Sequence, residues 1–202
     1  MRLSPNSHTD VSRCIGEEIW SNVGGPTRGG AELQGDGIIP PYIGNLSNLK
    51  LLYLSSDRYG LMVDDMAWTS GLFLLEHLDL SLVHLSGEEN MDMLFYMLYS
   101  LKELSLKGCG LSNAYLGMMP SLSVLHLSDC RLEKTHLSSP RLNFTTHSKI
   151  QHLDLSGNLI HGTFPSVFTN MSSLRVLDLS ENMLNSLVPV MPNLLDLAIS
   201  YN

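Results

Sequence analysis

Cysteine is scarce in this chain. Three in 202 residues are too few for a disulfide scaffold. Long apolar runs are missing as well. The longest candidates, around Leu72–Leu75 and Leu94–Leu98, are short and interrupted, against the roughly 18 residues that a membrane-spanning helix needs. Residues 1–20 hold no apolar core of the kind a secretory signal peptide has. Positive charge is in deficit: Lys and Arg number 12 against 20 Asp and Glu, for a formal net charge of −8 and a pI of about 5.4. That excludes general nucleic-acid binding, which needs a basic footprint. Enzyme signatures are lacking too. Gly35-Asp36-Gly37 begins like a dinucleotide loop, but Pro40 stands where the third glycine belongs. A phosphate-binding loop, H-E-x-x-H, G-x-S-x-G and the kinase motifs are all absent from these residues. The expectation is a non-enzymatic chain with no cofactor and no catalytic residues.

What the chain has in quantity is leucine at fixed spacing. Ile150, Leu153, Leu155 and Asn158 are spaced L-x-x-L-x-L-x-x-N, and Leu174, Leu177, Leu179 and Asn182 repeat that spacing 24 residues later. Residues two apart on a strand share a face, so Leu153 and Leu155 point one way and His152, Asp154 and Ser156 the other. One such strand cannot bury its leucine face alone, so stability requires stacked neighbours. This is the leucine-rich repeat pattern.

The same framework starts at 49, 75, 101, 122, 150, 174 and 194, in steps of 26, 26, 21, 28, 24 and 20, all inside the 20–29-residue period of such repeats. The asparagine position is filled by Asp57, Val83, Cys109, Cys130, Asn158, Asn182 and Asn202. Residues 33–46 read as the back half of a repeat without its front. Residues 1–32, with Gly24, Gly25, Pro26, Gly29 and Gly30, show no repeat spacing and read as an irregular leader. The domain boundaries are therefore 1–32 and 33–202. No capping unit follows Asn202 in the chain as given, so an apolar edge is expected there.

The segments after the strands specify the subtype. Gly162-Thr163-Phe164-Pro165 followed by Phe168, Asn170 and Leu174, and Ile38-Ile39-Pro40 through Gly44-Asn45-Leu46 and Leu49, resemble the plant-specific repeat L-x-G-x-I-P-x-x-[LF]-x-N-L-x-x-L. Leu184 to Pro189 is a looser match, with Ser186 for the glycine. The glycine suits a tight turn, and the proline fits the edge of a second, short sheet. Asp64 to Trp68, the following SGLFLLEHLDLS, and Leu101–Ser112 resemble plant receptor-like proteins of the ethylene-inducing-xylanase receptor class. The resemblance covers about residues 33–202. It implies an α/β-type solenoid: a right-handed horseshoe arc of about seven repeats with a parallel concave β-sheet. It implies an extracellular-facing plasma-membrane receptor-like protein in defence or developmental signalling. The expected partners are a protein, peptide or glycan ligand and a co-receptor kinase, with no nucleic acid. The family's signal peptide, paired cap cysteines, membrane helix and tail are not in these residues, which read as a fragment or truncated relative. The alternatives are an intracellular protein-binding scaffold and the ectodomain piece of a receptor kinase.

Three kinds of site follow. Asn45, Asn143 and Asn170 head N-x-[ST] sequons and are glycosylation candidates. On the strand faces away from the core, Asp79, Asp154 and Asp178 read as framework of the recurring L-D-L-S. The more individual Tyr53, His77, Glu103, Lys107, His126 and His152 are the binding candidates. Cys109, Cys130, Asn158, Asn182 and Asn202 are structural ladder positions. A disulfide between Cys109 and Cys130 on adjacent strands is thinkable, but buried free thiols are the favoured reading. A zinc set of Cys109, His126, Cys130 and His136 is set aside, because His126 projects opposite to Leu125 and Leu127.

Overall fold

The computed structural model describes residues 30–33, 37–39, 41–55, 60–63, 66–85, 98–110, 119–139, 142, 144 and 149–202. Each framework triplet becomes a strand because its two inward leucines alternate with polar outward residues. The main strands are β1 (Gly30–Leu33), β3 (Leu51–Leu54), β5 (His77–Asp79), β7 (Glu103–Ser105), β8 (Val124–His126), β9 (His152–Asp154), β11 (Val176–Asp178) and β13 (Asp196–Ala198). They form one eight-stranded sheet in that order, parallel at every pairing. The register keeps framework leucines side by side: Leu52, Leu78, Leu104, Leu125, Leu153, Leu177 and Leu197 run across it. The fold is a parallel-strand solenoid in which each unit packs on its neighbours. β1 is a strand that the leucine spacing does not reveal. It pairs with β3 from residues 30–33, at the junction between the leader and the repeats.

Short pairs lie beside the main sheet. β2 (Gly37–Ile38), β4 (Leu61–Val63) and β6 (His84–Leu85) make one small parallel sheet, and β10 (His161–Gly162) and β12 (Met183–Leu184) another. Gly162 sits in β10 at φ +79°, a conformation that favours glycine. Pro165 does not edge this sheet. It precedes the 3-10 turn Ser166–Asn170 at φ −68°, where its fixed torsion is already suitable. The equivalent turns Pro41–Asn45 and Ala67–Gly71 pack on each other through glycine. A Cβ on Gly71 would stand 2.0 Å from the Gly44 carbonyl oxygen.

The core is one cluster running the length of the stack. The framework leucines of the strands at 75, 101, 122, 150 and 174 are buried almost completely, and Trp68, Phe144, Phe164 and Phe168 fill the space behind them. Phe168 meets Phe144 and Phe164 edge-to-face at 6.1 and 5.9 Å, a favoured aromatic geometry. At the last unit, Leu187, Val190, Leu195 and Tyr201 are exposed. Among the described residues no helix is long and apolar enough to cross a membrane.

Candidate functional site

Two devices hold the outward face in place. The first is the ladder. The Asn158 amide donates to the Leu127, Leu155 and Ser156 carbonyls at 2.8, 2.9 and 3.2 Å, and its oxygen accepts from the Cys130 and Leu132 N–H groups. Asn182 repeats this toward Leu155, Leu179 and Ser180, accepting from Ile160. Asn202 donates to Leu179 and Ile199 and accepts from Leu184. Cys109 and Cys130 are free thiols that reproduce the donor half. Their Sγ atoms reach the Leu80 and Leu106 carbonyls at 3.0 Å each. Burial, reinforced by Cys130, pushes the Cys109 thiol up to about 12, so it is an inert protonated donor.

The second device is a left-handed residue one place before each ladder position among the described residues. Leu82, Gly108, Asp129, Gly157, Glu181 and Tyr201 all have φ between +56 and +70°. The first five donate their N–H to the next unit, at Lys107, Ser128, Ser156, Ser180 and Ser200. Only two of the six are glycine, so the residue types alone do not disclose this recurring turn.

With the strands fixed, the outward side chains form two columns. His77, Glu103, Val124 and His152 adjoin in one, and Asp79, Ser105, His126 and Asp154 in the other. Glu103 lies between two imidazoles: its carboxylate is 2.9 Å from His77 Nδ1 and 3.8 Å from His126 Nε2. The other ring nitrogen of His126 faces Asp154 Oδ2 at 3.6 Å, and its ring tilts against that of His152 with centroids 5.2 Å apart. The structure thus joins His77, Glu103, His126 and His152 into one continuous line, and adds Asp154.

Charge follows from this placement. The Asp154 carboxylate is the main influence raising the His126 pKa; partial burial opposes it and Glu103 adds to it. Burial pushes the Asp154 carboxyl up, but His126 and the N–H and hydroxyl of Ser156 outweigh it and hold the group well below the usual range. Asp79 and Asp178 serve their own turns, accepting from Ser81 and from the Ser180 N–H at 2.8 Å each.

The remaining candidates lie elsewhere. Tyr53 is half-buried in β3, three strands from His126. Lys107 is on the turn after β7, with its ammonium 3.9 Å from Asp129 Oδ2. Asn45 and Asn170 are exposed at the ends of equivalent 3-10 turns; Asn143 lies outside the described residues. On one rim, Glu76 bridges Lys102 and Lys50, which lower its pKa to about 2. Cys130 is buried on the core side while His126 faces outward, and no group of three or more His, Cys, Asp or Glu among the described residues is arranged to hold a metal. Asp154, read from sequence as framework, is the partner that reasoning missed. Aligning the repeats places it beside His126, and that was the available signal.

Comparisons with known proteins agree with this fold. A leucine rich repeat family model matches residues 148–202. Receptor-like protein EIX1 of Solanum lycopersicum is 34% identical over 139 residues, 65% of this chain and 13% of that protein. The chain therefore spans about an eighth of that relative's length. The LRR ectodomain of the plant membrane receptor kinase GASSHO1/SCHENGEN3 from Arabidopsis thaliana was solved in complex with CASPARIAN STRIP INTEGRITY FACTOR 2. It matches with a TM-score of 0.58 at 28% identity, covering 85% of this chain and 21% of that one. InlP of Listeria monocytogenes matches with a TM-score of 0.64 over 96% of this chain and 56% of its own, but at 18% identity this is a likeness of fold alone.

Proposed function

This chain is a leucine-rich repeat protein resembling plant receptor ectodomains, and from that premise we propose that it is a recognition module of a plant cell-surface receptor-like protein. It binds a peptide or protein ligand on the outward face of its eight-stranded sheet and carries no enzymatic activity of its own. The observation that carries this reading is the face itself. Its strands are held in register chiefly by a buried leucine framework and by the asparagine ladder, neither of which draws on His77, Glu103 or His126. Yet those side chains form a partly exposed, connected polar line through His77, Glu103, His126 and Asp154. A rigid scaffold that presents individual polar groups is how solenoids bind partners.

The likeness to Receptor-like protein EIX1 supports a receptor-like protein facing the cell exterior, with a role in defence or developmental signalling. A second reading, the ectodomain of a receptor kinase, is favoured by the match to GASSHO1/SCHENGEN3. Both readings require passage through the secretory route, and both place N-linked glycans on Asn45 and Asn170. Expression of a secreted form in plant cells should give a mobility shift that is lost on glycosidase treatment and reduced in Asn45→Gln and Asn170→Gln.

Photo-crosslinking tests the recognition surface directly. A photoreactive residue at Tyr53 or His152 should capture extracellular peptide or protein from plant cells, while one at Lys134, on the helix α1 (Lys134–Leu137), should not. Capture at Lys134 alone, or equally at all three, would remove the sheet face from consideration.

A further inference from the structure

We propose that the line through His77, Glu103, His126 and Asp154 receives a cationic side chain, arginine or lysine, of the peptide or protein ligand, and that His126 gives up a proton as that cation binds. This rests on the reading of the sheet face as the recognition surface, and adds to it the chemistry of the ligand and its coupling to pH.

The first observation is the charge of the face. From β3 to β13 the two outward columns carry five carboxylates and three histidines, with no lysine or arginine. The cations Lys50, Lys102 and Arg175 stand on one rim and Lys107 on the other. The centre of the face therefore has anionic groups in excess, and its only internal cation is a protonated imidazole.

The second observation is independent of charge. Ser81 and Ser156 each place their hydroxyl on the carboxylate two residues back, at 2.5 and 2.7 Å. Ser128 holds the same repeat position, but two residues back stands His126. Its hydroxyl is buried, with the residue 2% exposed, and finds no partner. An aspartate at 126 would give that hydroxyl the partner its counterparts have. At this one position the framework's usual serine–carboxylate bond is given up for an imidazole set between two carboxylates.

The geometry shows what the imidazole can do there. Glu103 faces one nitrogen of His126 and Asp154 the other. A neutral imidazole has one N–H, so it must point a lone pair at a carboxylate; an imidazolium satisfies both. The groups facing His126 are Asp79 from β5, Glu103 from β7, and His152 and Asp154 from β9. Carboxylates outnumber any competing cation in that set, and His126 is raised accordingly. A guanidinium or ammonium between Glu103 and Asp154 competes with the proton on His126, because like charges this close disfavour one another. Binding should therefore strengthen as pH rises and the imidazolium gives up its proton.

The test uses the full chain labelled at the histidine Cε1 position, with N-acetyl-arginine amide as probe and N-acetyl-glutamine amide as control, followed by NMR. The arginine probe should shift the His126 and His152 resonances saturably and lower the pH at which His126 titrates. It should bind about tenfold more tightly near pH 8 than near pH 5.5. Asp154→Asn and the more exposed Glu103→Gln should each lose most of this binding, and in His126→Asn its pH dependence should fall well below that of wild type; an undiminished pH dependence in His126→Asn overturns the proton exchange. Equal affinity at the two pH values, equal response to the glutamine control, or no saturable shift overturns the proposal. If crosslinks at Tyr53 and His152 are nevertheless obtained, the recognition surface stands and only the cationic chemistry falls. If they are not, both fall.

Discussion

At the scale of single residues, the backbone asks for more than the side chains supply. Gly157 takes its left-handed torsion without cost, and a Cβ there would stand 2.2 Å from Asp129 Oδ1. Gly157→Ala should lower stability by about 1–2 kcal/mol, from left-handed strain alone. Glu181 holds the equivalent torsion, φ 56°, with an exposed side chain. Glu181→Gly should gain up to about 1 kcal/mol, reduced by the added freedom of glycine in the unfolded chain. Urea denaturation of both variants checks the pair, and a loss in both would disprove the account of the turn.

His126 and Asp154 make a prediction of opposite sign on each flank of the pH scale. A raised His126 contributes stability that is complete below its ordinary 6.5 and lost as pH rises through the folded value. A depressed Asp154 contributes above its ordinary 3.8 and loses this as pH falls through the folded value. The pair therefore stabilises most between about 4 and 6.5. The Tm advantage of wild type over His126→Asn should shrink as pH is raised from about 6 to about 8. An advantage that stays constant across that range would show that the two groups are not coupled.

At the scale of the element, one repeat is a strand, a ladder residue and a return segment. Leu155 is fully buried, so Leu155→Asp places an uncompensated charge in the core, whereas Ser156→Ala removes only a hydroxyl bonded to Asp154. The first should lower Tm far more than the second, and equal Tm values would refute the register. Asn158→Leu strands the N–H groups of Cys130 and Leu132 at a cost of about 1–3 kcal/mol for a buried unsatisfied group. The ladder position is thus held by hydrogen-bond accounting. That is why thiols at Cys109 and Cys130 are tolerated there: each donates to a carbonyl of the preceding unit.

At the scale of the molecule, the stack has only nearest-neighbour couplings. Hydrogen exchange in Leu155→Asp should show lost protection in β8, β9 and β11, with β3 and β5 retained. Loss of protection spread evenly over all strands would show long-range cooperativity instead.

The leucine period by itself determined the solenoid, the parallel sheet and the inward register, because a two-residue alternation repeated at 20–28-residue steps has one way to bury its leucines. It also separated the outward candidates from the core. Repeat alignment makes His126 and Asp154 neighbours, and tertiary structure decided which side chains of the face actually meet. His126 and Asp154 are 28 positions apart in the sequence, and neither residue type announces the other. Pairing β8 with β9 sets them face to face, as pairing β5 with β7 joins His77 to Glu103. The strand β1 and the left-handed turns were likewise outside the reach of pattern. Backbone pairing makes the first, and the next repeat's carbonyls impose the second even on Leu82 and Glu181, which have no intrinsic preference for it.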